Sequence, residues 1–268
     1  GHGDGVYINT SGVGTIPEGV NLGGAQCKPG DKVLVTGTLG DHGITIMSCR
    51  ESLSFSADLE SDAAPLNHLI AEVLAAAPNT RCFRDPTRGG LASTLNELAA
   101  QSNTDITVEE DAIPVKPAVR GACEMLGYDV LQVANEGKMV CVVAAEEADA
   151  ALAAMRANRY GAGAAIIGEV SAVRPERGSK VFLRTAFGGT RILDMLVGEQ
   201  LLEALHAAPS CVWKRALTCA KAFDSAFRGM KAAALSIENL PPHPEKFAIS
   251  SCICGQQWYL AGIKFLGK

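Results

Sequence analysis

The chain has 268 residues, a formal net charge of −5 and 47% apolar residues, enough apolar material for one large or two modest cores. No apolar run is long enough to span a bilayer, and the opening "GHGDGVYINT" lacks the basic and then apolar pattern of a secretory signal. Nine cysteines with no framework spacing read as reduced thiols in a cytoplasmic protein, and the C-x-C of Cys252 and Cys254 lacks the second ligand pair of a zinc site.

In chain order, "VYINTSGV" (6–13) reads as a strand and "KVLVTG" (32–37) as another, because β-branched residues dominate and glycine ends the second. A Gly/Pro-rich connection separates them. After "GTLGDHG" (37–43), "HGITIMSCRES" reads as a helix with Asp41 as its N-cap. Leu66, Leu69, Ile70, Val73 and Leu74 form one apolar stripe, stopped by "AAAPNT". Leu91, Leu95, Leu98 and Ala99 form a second stripe. Pro117 near its start and Gly127 past its end bracket a third helix. "MVCVVAA" (139–145) is a buried-strand candidate, and "EEADAALAAMRA" is an alanine-rich helix with acids in its first turn, where they suit the helix dipole. "AAIIGEV", "KVFLRT" and "TRILDML" read as strands, the last two joined by a turn at Gly188 and Gly189.

Strands and helices mix from 6 to 197 without strict βαβ alternation. The expected fold is α/β: a mixed β-sheet with helices packed on one face. Residues 201–268 differ, with a net charge of +4 against −9 for 1–200, and both tryptophans, Trp213 and Trp258. That shift places a boundary near Gln200. An amphipathic helix is expected over 212–235, with Lys214, Lys221 and Arg228 recurring every seven residues.

Three loops concentrate polar chemistry. In "RDPTRGG" (84–90), a helix N-terminus exposes unpaired N–H groups and partial positive charge. Gly89 and Gly90 remove side chains that would block an anion, and Arg88 offers a fork of donors to phosphate. Asp85 is placed to cap the helix or to hold Mg²⁺. The plainer reading is a capped turn with Arg88 in a salt bridge. In "GTLGDHG", glycines could let a ligand approach the backbone, but the spacing fits neither a Walker loop nor G-x-G-x-x-G. A tight turn is the competing reading, and His42 beside an acid is either a proton-transfer group or a turn residue. In "ANEGK" (134–138), Glu136 is placed as a general base and Lys138 as a neutraliser of phosphate charge, against a solvated turn.

Taken together and in order, "VTGTLGDHGITIM", "RDPTRGGLASTLNELA", "AIPVKPAVRGACEMLGYDVLQVANEGK" and "AAIIGEV" resemble the HypE hydrogenase maturation factors. These form a branch of the family that also holds aminoimidazole ribonucleotide synthetases, selenophosphate synthetases and thiamine-phosphate kinases. The resemblance covers roughly residues 3–200, and D-P-T-R-G-G with N-E-G-K is its most specific pairing. It implies an ATP-dependent dehydration of a thiocarboxamide on a C-terminal cysteine. HypF supplies the carbamoyl group, and the product is a thiocyanate. Its cyanide passes to iron in the HypC–HypD complex for [NiFe]-hydrogenase. ATP and Mg²⁺ are the implied cofactors and a homodimer the implied assembly. Phosphorylating the amide oxygen makes phosphate the leaving group, which needs cations on the phosphates and a base near the nitrogen. The resemblance matches Glu136 to the base, and it favours Lys138, Arg88 and the Gly89–Gly90 helix start for phosphate charge. Thr87, Gly40, Asp41 and His42 join the cofactor-binding set, and Asp85 is assigned to Mg²⁺ or to capping.

Measured against the family pattern, residues 1–15 match only the last strand of an N-terminal ATP-binding domain. Residues 16–200 match the C-terminal domain, and 201–268 read as an unrelated tail. The family's terminal Pro-Arg-Ile-Cys has no counterpart after "LDMLVGEQL"; Cys211 is the nearest thiol. The chain is therefore expected to be inactive alone. Two rivals remain: another ATP-dependent enzyme of the same superfamily, or a module whose basic tail docks on a partner or an anionic membrane. Nucleic-acid binding is not expected of an acidic main domain without basic–aromatic interleaving.

Overall fold

The structure, a computed structural model, describes residues 8–16, 18–50, 59–173, 176–195, 247–254 and 257–261. The chain divides into two compact units, Gly1–Val20 with Phe223–Lys268, and Asn21–Ala222. In the first, β1 (Ile8–Thr15) pairs antiparallel with β9 (Phe247–Cys254), which pairs antiparallel with β10 (Gln257–Ala261). The basic helix expected over 212–235 lies outside the described residues.

The second unit is built on a seven-stranded sheet whose strands run β2 (Lys32–Val35), β3 (Thr80–Arg84), β4 (Thr104–Glu109), β5 (Val140–Val143), β6 (Ala165–Ala172), β7 (Val181–Arg184) and β8 (Thr190–Ile192) in the chain. Their spatial order is β3-β5-β2-β6-β4-β7-β8. Only β4 and β7 run parallel; the other neighbours are antiparallel. The mixed α/β sheet expected from the sequence is what forms.

Side-chain alternation explains how β2 and β5 serve two cores. Val33, Val35, Val140 and Val142 face one side, where α3 (Gly90–Ser102) buries Leu91, Leu95 and Leu98. Leu34, Cys141 and Val143 face the other, under α2 (Asn67–Ala76) and α5 (Ala148–Ala157), which bury Leu69, Val73, Ala151 and Met155. A strand buried on both faces reads as an unbroken apolar run, as "VCVV" does. A third cluster joins α1 (Asp41–Arg50) to α4 (Pro117–Leu126) through Ile44, Met47, Val119, Ala122 and Val133. One-sided helix packing describes the β6-β4-β7-β8 end. There the second face carries ion pairs instead: Lys32 with Glu169, Arg184 with Glu109, and Arg177 with Asp105.

Local signals set most boundaries. Pro117 opens α4, and Gly127 closes it in the left-handed region with φ 72°, its amide donating to the Cys123 carbonyl. Four strands were absent from the sequence reading: β9 and β10 in the tail, and β3 and β4 in the seven-stranded sheet. β4, "TDITVE", alternates Ile106 and Val108 inward with Asp105, Thr107 and Glu109 outward, a period-2 pattern hidden by its polar half. β3, "TRCFR", is an edge strand with only Cys82 and Phe83 turned to the two cores.

Candidate functional site

The loop that follows β2 and the loop that precedes β5 emerge at the same end of the sheet, because β2 and β5 are antiparallel neighbours. Asn135 fastens them. Its Oδ1 accepts from the Gly40 amide at 2.8 Å, and its Nδ2 donates to the carbonyls of Pro86 and Val133, each at 3.0 Å. The Asn135 amide also donates to Pro86 O at 3.2 Å. One buried side chain thus joins all three polar loops. Its amide group satisfies backbone groups that would otherwise be buried without partners.

A cavity of about 420 Å³ opens beside this junction. Its wall is formed by Thr38 and Asp41 from the first loop, Gly137 and Lys138 from the third, Lys116 at the start of α4, Arg159 and Tyr160 after α5, and residues 60–65. Each is placed by a specific contact. The Leu39 amide donates to Pro114 O at 2.9 Å, holding the approach to α4 against the first loop. Gly163 brings the segment after α5 against Gly37. A Cβ on Gly37 would sit 3.2 Å from Lys138 Nζ, so Lys138 lies across the bare backbone of that glycine.

Asp41 is buried, with Oδ2 accepting from Thr38 Oγ1 at 2.6 Å and from Lys116 Nζ at 2.9 Å. Asp62 Oδ1 accepts from the amides of Glu136 at 3.0 Å and Gly137 at 3.2 Å. Gly137 is required for that approach, because a Cβ there would fall within 1.8 Å of Asp62 O. His42 Nδ1 hydrogen-bonds Ser61 Oγ at 2.9 Å. Burial lowers the His42 pKa below its ordinary value, partly opposed by the Asp62 charge, so the imidazole is neutral at neutral pH.

Residues 28–179 match the family model of the AIR synthase related protein, C-terminal domain. The chain belongs to this family. Within the AIR synthase related C-terminal domains, it resembles HypE. It is 54% identical over 201 residues to the carbamoyl dehydratase HypE of Azotobacter vinelandii, covering 75% of this chain and 58% of that relative. A crystal structure of HypE in complex with ATP superposes with a TM-score of 0.64 at 44% identity, covering 68% of this chain and 55% of that one. A HypE–HypF complex gives 0.63 at 44%, covering 67% and 57%. The chain spans just over half the length of these relatives.

Among the residues expected from the sequence, Asp41 and Lys138 line the cavity. Glu136 is one residue from the wall, its amide held by Asp62. Gly40 spends its amide on Asn135 and packs against Val119 and Val130, so it closes a turn rather than facing a ligand.

The 84–90 loop corrects the sequence reading of this AIR synthase related domain. Gly90 does not present a bare amide: its N–H donates to Thr87 O at 3.2 Å, and it is buried. A Cβ on it would stand 2.6 Å from Leu131 O and 2.7 Å from Val133 O. The glycine therefore admits neighbouring backbone, not an anion. Asp85 does not cap α3; Gly89 is the N-cap and no side chain caps it. Asp85 instead accepts from Arg84 Nη1 at 2.7 Å and from Thr87 Oγ1 at 3.0 Å. Each Asp85 oxygen thus accepts one hydrogen bond within the loop. Neither Asp85, Thr87, Arg88, Gly89 nor Gly90 lines the cavity, and Arg88 is exposed.

The sequence reading missed Asn135, Asp62, Lys116, Arg159 and Tyr160. Asn135 was signalled by its place beside Glu136; an Asn before a strand entrance is a frequent bridge between loops. The other four carried no local signal, since only long-range contact brings them to the wall.

Proposed function

We propose that this AIR synthase related domain provides the C-terminal wall of an ATP site, and that it serves the HypE reaction, dehydration of a cysteine thiocarboxamide to a thiocyanate. The observation that carries the reading is the cavity whose wall carries Lys138, held across Gly37, together with Lys116 and Arg159. Three cations in one wall suit the charge of a polyphosphate. The relatives named for carbamoyl dehydration, and the ATP-bound HypE structure, support the same choice of ligand.

ATP supplies the phosphoryl group that turns the amide oxygen into a leaving group. The chain's own residues would do the rest. Lys138 neutralises charge on the transferred phosphate, with Lys116 and Arg159 further along the wall. Glu136, fixed through its backbone by Asp62, takes the nitrogen protons. Mg²⁺ would accompany the nucleotide, with Asp85 the residue matched to it by resemblance. The HypE–HypF structure supports HypF as a partner; its role as carbamoyl donor, the HypC–HypD acceptor, a homodimer and a cytoplasmic setting belong to the same proposal.

The test is a calorimetric titration of the full chain with ATP. Saturable heat is expected, weakened more than about tenfold by Lys138→Met, the loss of one charge-assisted contact. Absence of heat, or equal affinity in the variant, would remove the reading. Mass spectrometry after incubation with HypF, carbamoyl phosphate and ATP tests the reaction itself. A carbamoyl adduct that then loses water extends the proposal from binding to chemistry, and an unmodified chain restricts it to binding.

A further inference from the structure

Two cysteines of this domain meet. Cys27 Sγ and Cys82 Sγ stand 3.6 Å apart in the core beneath α3, and both residues are buried. The other cysteines whose surroundings are described lie elsewhere: Cys141 belongs to the opposite core, Cys123 to the cluster between α1 and α4, and Cys49 is exposed. Neither member of the pair lines the cavity.

The two sulfurs are 55 residues apart in the chain, so the fold brings them together, and two tethers hold Cys27 in place. Before it, the Gly23 amide donates to the Arg81 carbonyl at 2.9 Å. After it, Arg81 Nε donates to Asp31 Oδ2 at 3.1 Å, and that oxygen also accepts from the Lys28 amide at 2.7 Å. Both tethers end on Arg81, the residue before Cys82. The segment carrying Cys27 is clamped against β3 on either side of the sulfur. A disulfide needs about 2.05 Å between its sulfurs, so the approach that remains is about 1.5 Å.

We propose that Cys27 and Cys82 are an oxidisable pair that a peroxide converts to an intramolecular disulfide. One sulfur attacks a peroxide oxygen; the O–O bond breaks, leaving a sulfenic acid and water. The second sulfur attacks the sulfenic sulfur, the S–S bond forms, and the hydroxyl leaves as water with the second thiol's proton. Two thiols and one hydrogen peroxide thus give one disulfide and two waters. The contact with Cys27, and then burial, push the Cys82 thiol above its ordinary range, so the reduced pair reacts slowly. β3 lies at one end of the seven-stranded sheet, beside β5, and local opening of that edge admits the small oxidant. The product fastens the beginning of the Asn21–Ala222 unit to the sheet edge.

The test treats the reduced full chain with hydrogen peroxide, alkylates the remaining thiols and maps the peptides without reductant. A Cys27–Cys82 cross-linked peptide is expected, two hydrogens lighter than the sum of its parts and separated by dithiothreitol. The urea midpoint should rise on oxidation, because the link closes a loop in the unfolded chain, and return on reduction. Cys82→Ser should abolish both changes, whereas Cys49→Ser, at an exposed thiol, should preserve them. Because Cys82→Ser could lose its fold, the wild-type chain provides an independent readout: the same oxidation in urea should scatter links among the cysteines, while the native chain gives the single pairing. Recovery of Cys27 and Cys82 as alkylated thiols would overturn the proposal. So would a sulfinic or sulfonic acid at either without the link, a native link from either to another cysteine, or a urea midpoint lowered by oxidation.

Discussion

Two glycine-bearing loops of this domain look alike in sequence and do different work. At "GTLG" the missing side chain of Gly37 leaves a track for Lys138, and the track leads into the cavity. At "TRGG" the missing side chain of Gly90 leaves room for the carbonyls of Leu131 and Val133, and nothing remains for a ligand. Glycine in a sequence announces a close approach; it does not say what approaches. A flexible lysine and a fixed backbone are very different neighbours, and substitution separates them.

Gly90→Ala is expected to have the largest effect. Its φ of 59° strains any side chain, and the Cβ would overlap backbone that has no room to yield. A loss of about 3–5 kcal/mol is expected from strain and overpacking together, measured by urea unfolding. A folded, stable variant would show that the glycine pair is open after all. Asn135→Ala comes next, at about 2–4 kcal/mol, because the Gly40 amide and the Val133 carbonyl lose their side-chain partner and the Pro86 carbonyl keeps only the residue-135 amide; Asn135 is 1% exposed. The same unfolding experiment reads it, and a change within error would mean that the loops hold together without the bridge.

Gly37→Ala should cost less than about 1 kcal/mol, since its Cβ meets only the far end of a flexible lysine. It should nevertheless reduce ATP affinity by displacing Lys138. Lost stability with unchanged affinity would reverse the contrast between the two loops. The smallest effect belongs outside both. Lys32 holds the Glu169 carboxyl below its ordinary pKa through a hydrogen bond and its charge. A depressed carboxylate contributes stability above its unfolded pKa and loses it as pH falls through the folded value. The pair is solvent-exposed, so Glu169→Gln should cost no more than about 0.5 kcal/mol near neutral pH and nothing at pH values below both pKa values. A larger loss in neutral solution would mean that the open sheet face is structurally more important than its ion pairs suggest.

How much of this was legible depended on distance along the chain. The α2 stripe, the proline and glycine around α4 and the apolar run of β5 are local signals, and each marks its element. The 37–43 and 134–138 loops were each assigned to the site by resemblance, not by spacing; their juxtaposition came only from the strand pairing and Asn135, and Lys138 was found on its charge. Asp62 stayed hidden because its partners Glu136 and Gly137 lie 74 and 75 residues away. Gly90 misled for the opposite reason: its local chemistry is suited to an anion, but the 131–133 backbone already occupies it. Local sequence reveals what a residue can do; the fold determines whether a neighbour has used that capacity first.

The most direct test of the central claim is a map of backbone amide shifts in the full chain as ATP is added. Movement concentrated at Thr38, Asp41, Gly137 and Lys138, with Thr87 to Gly90 undisturbed, is the expected pattern. Shifts confined to Thr87 to Gly90, leaving the cavity wall unmoved, would contradict it.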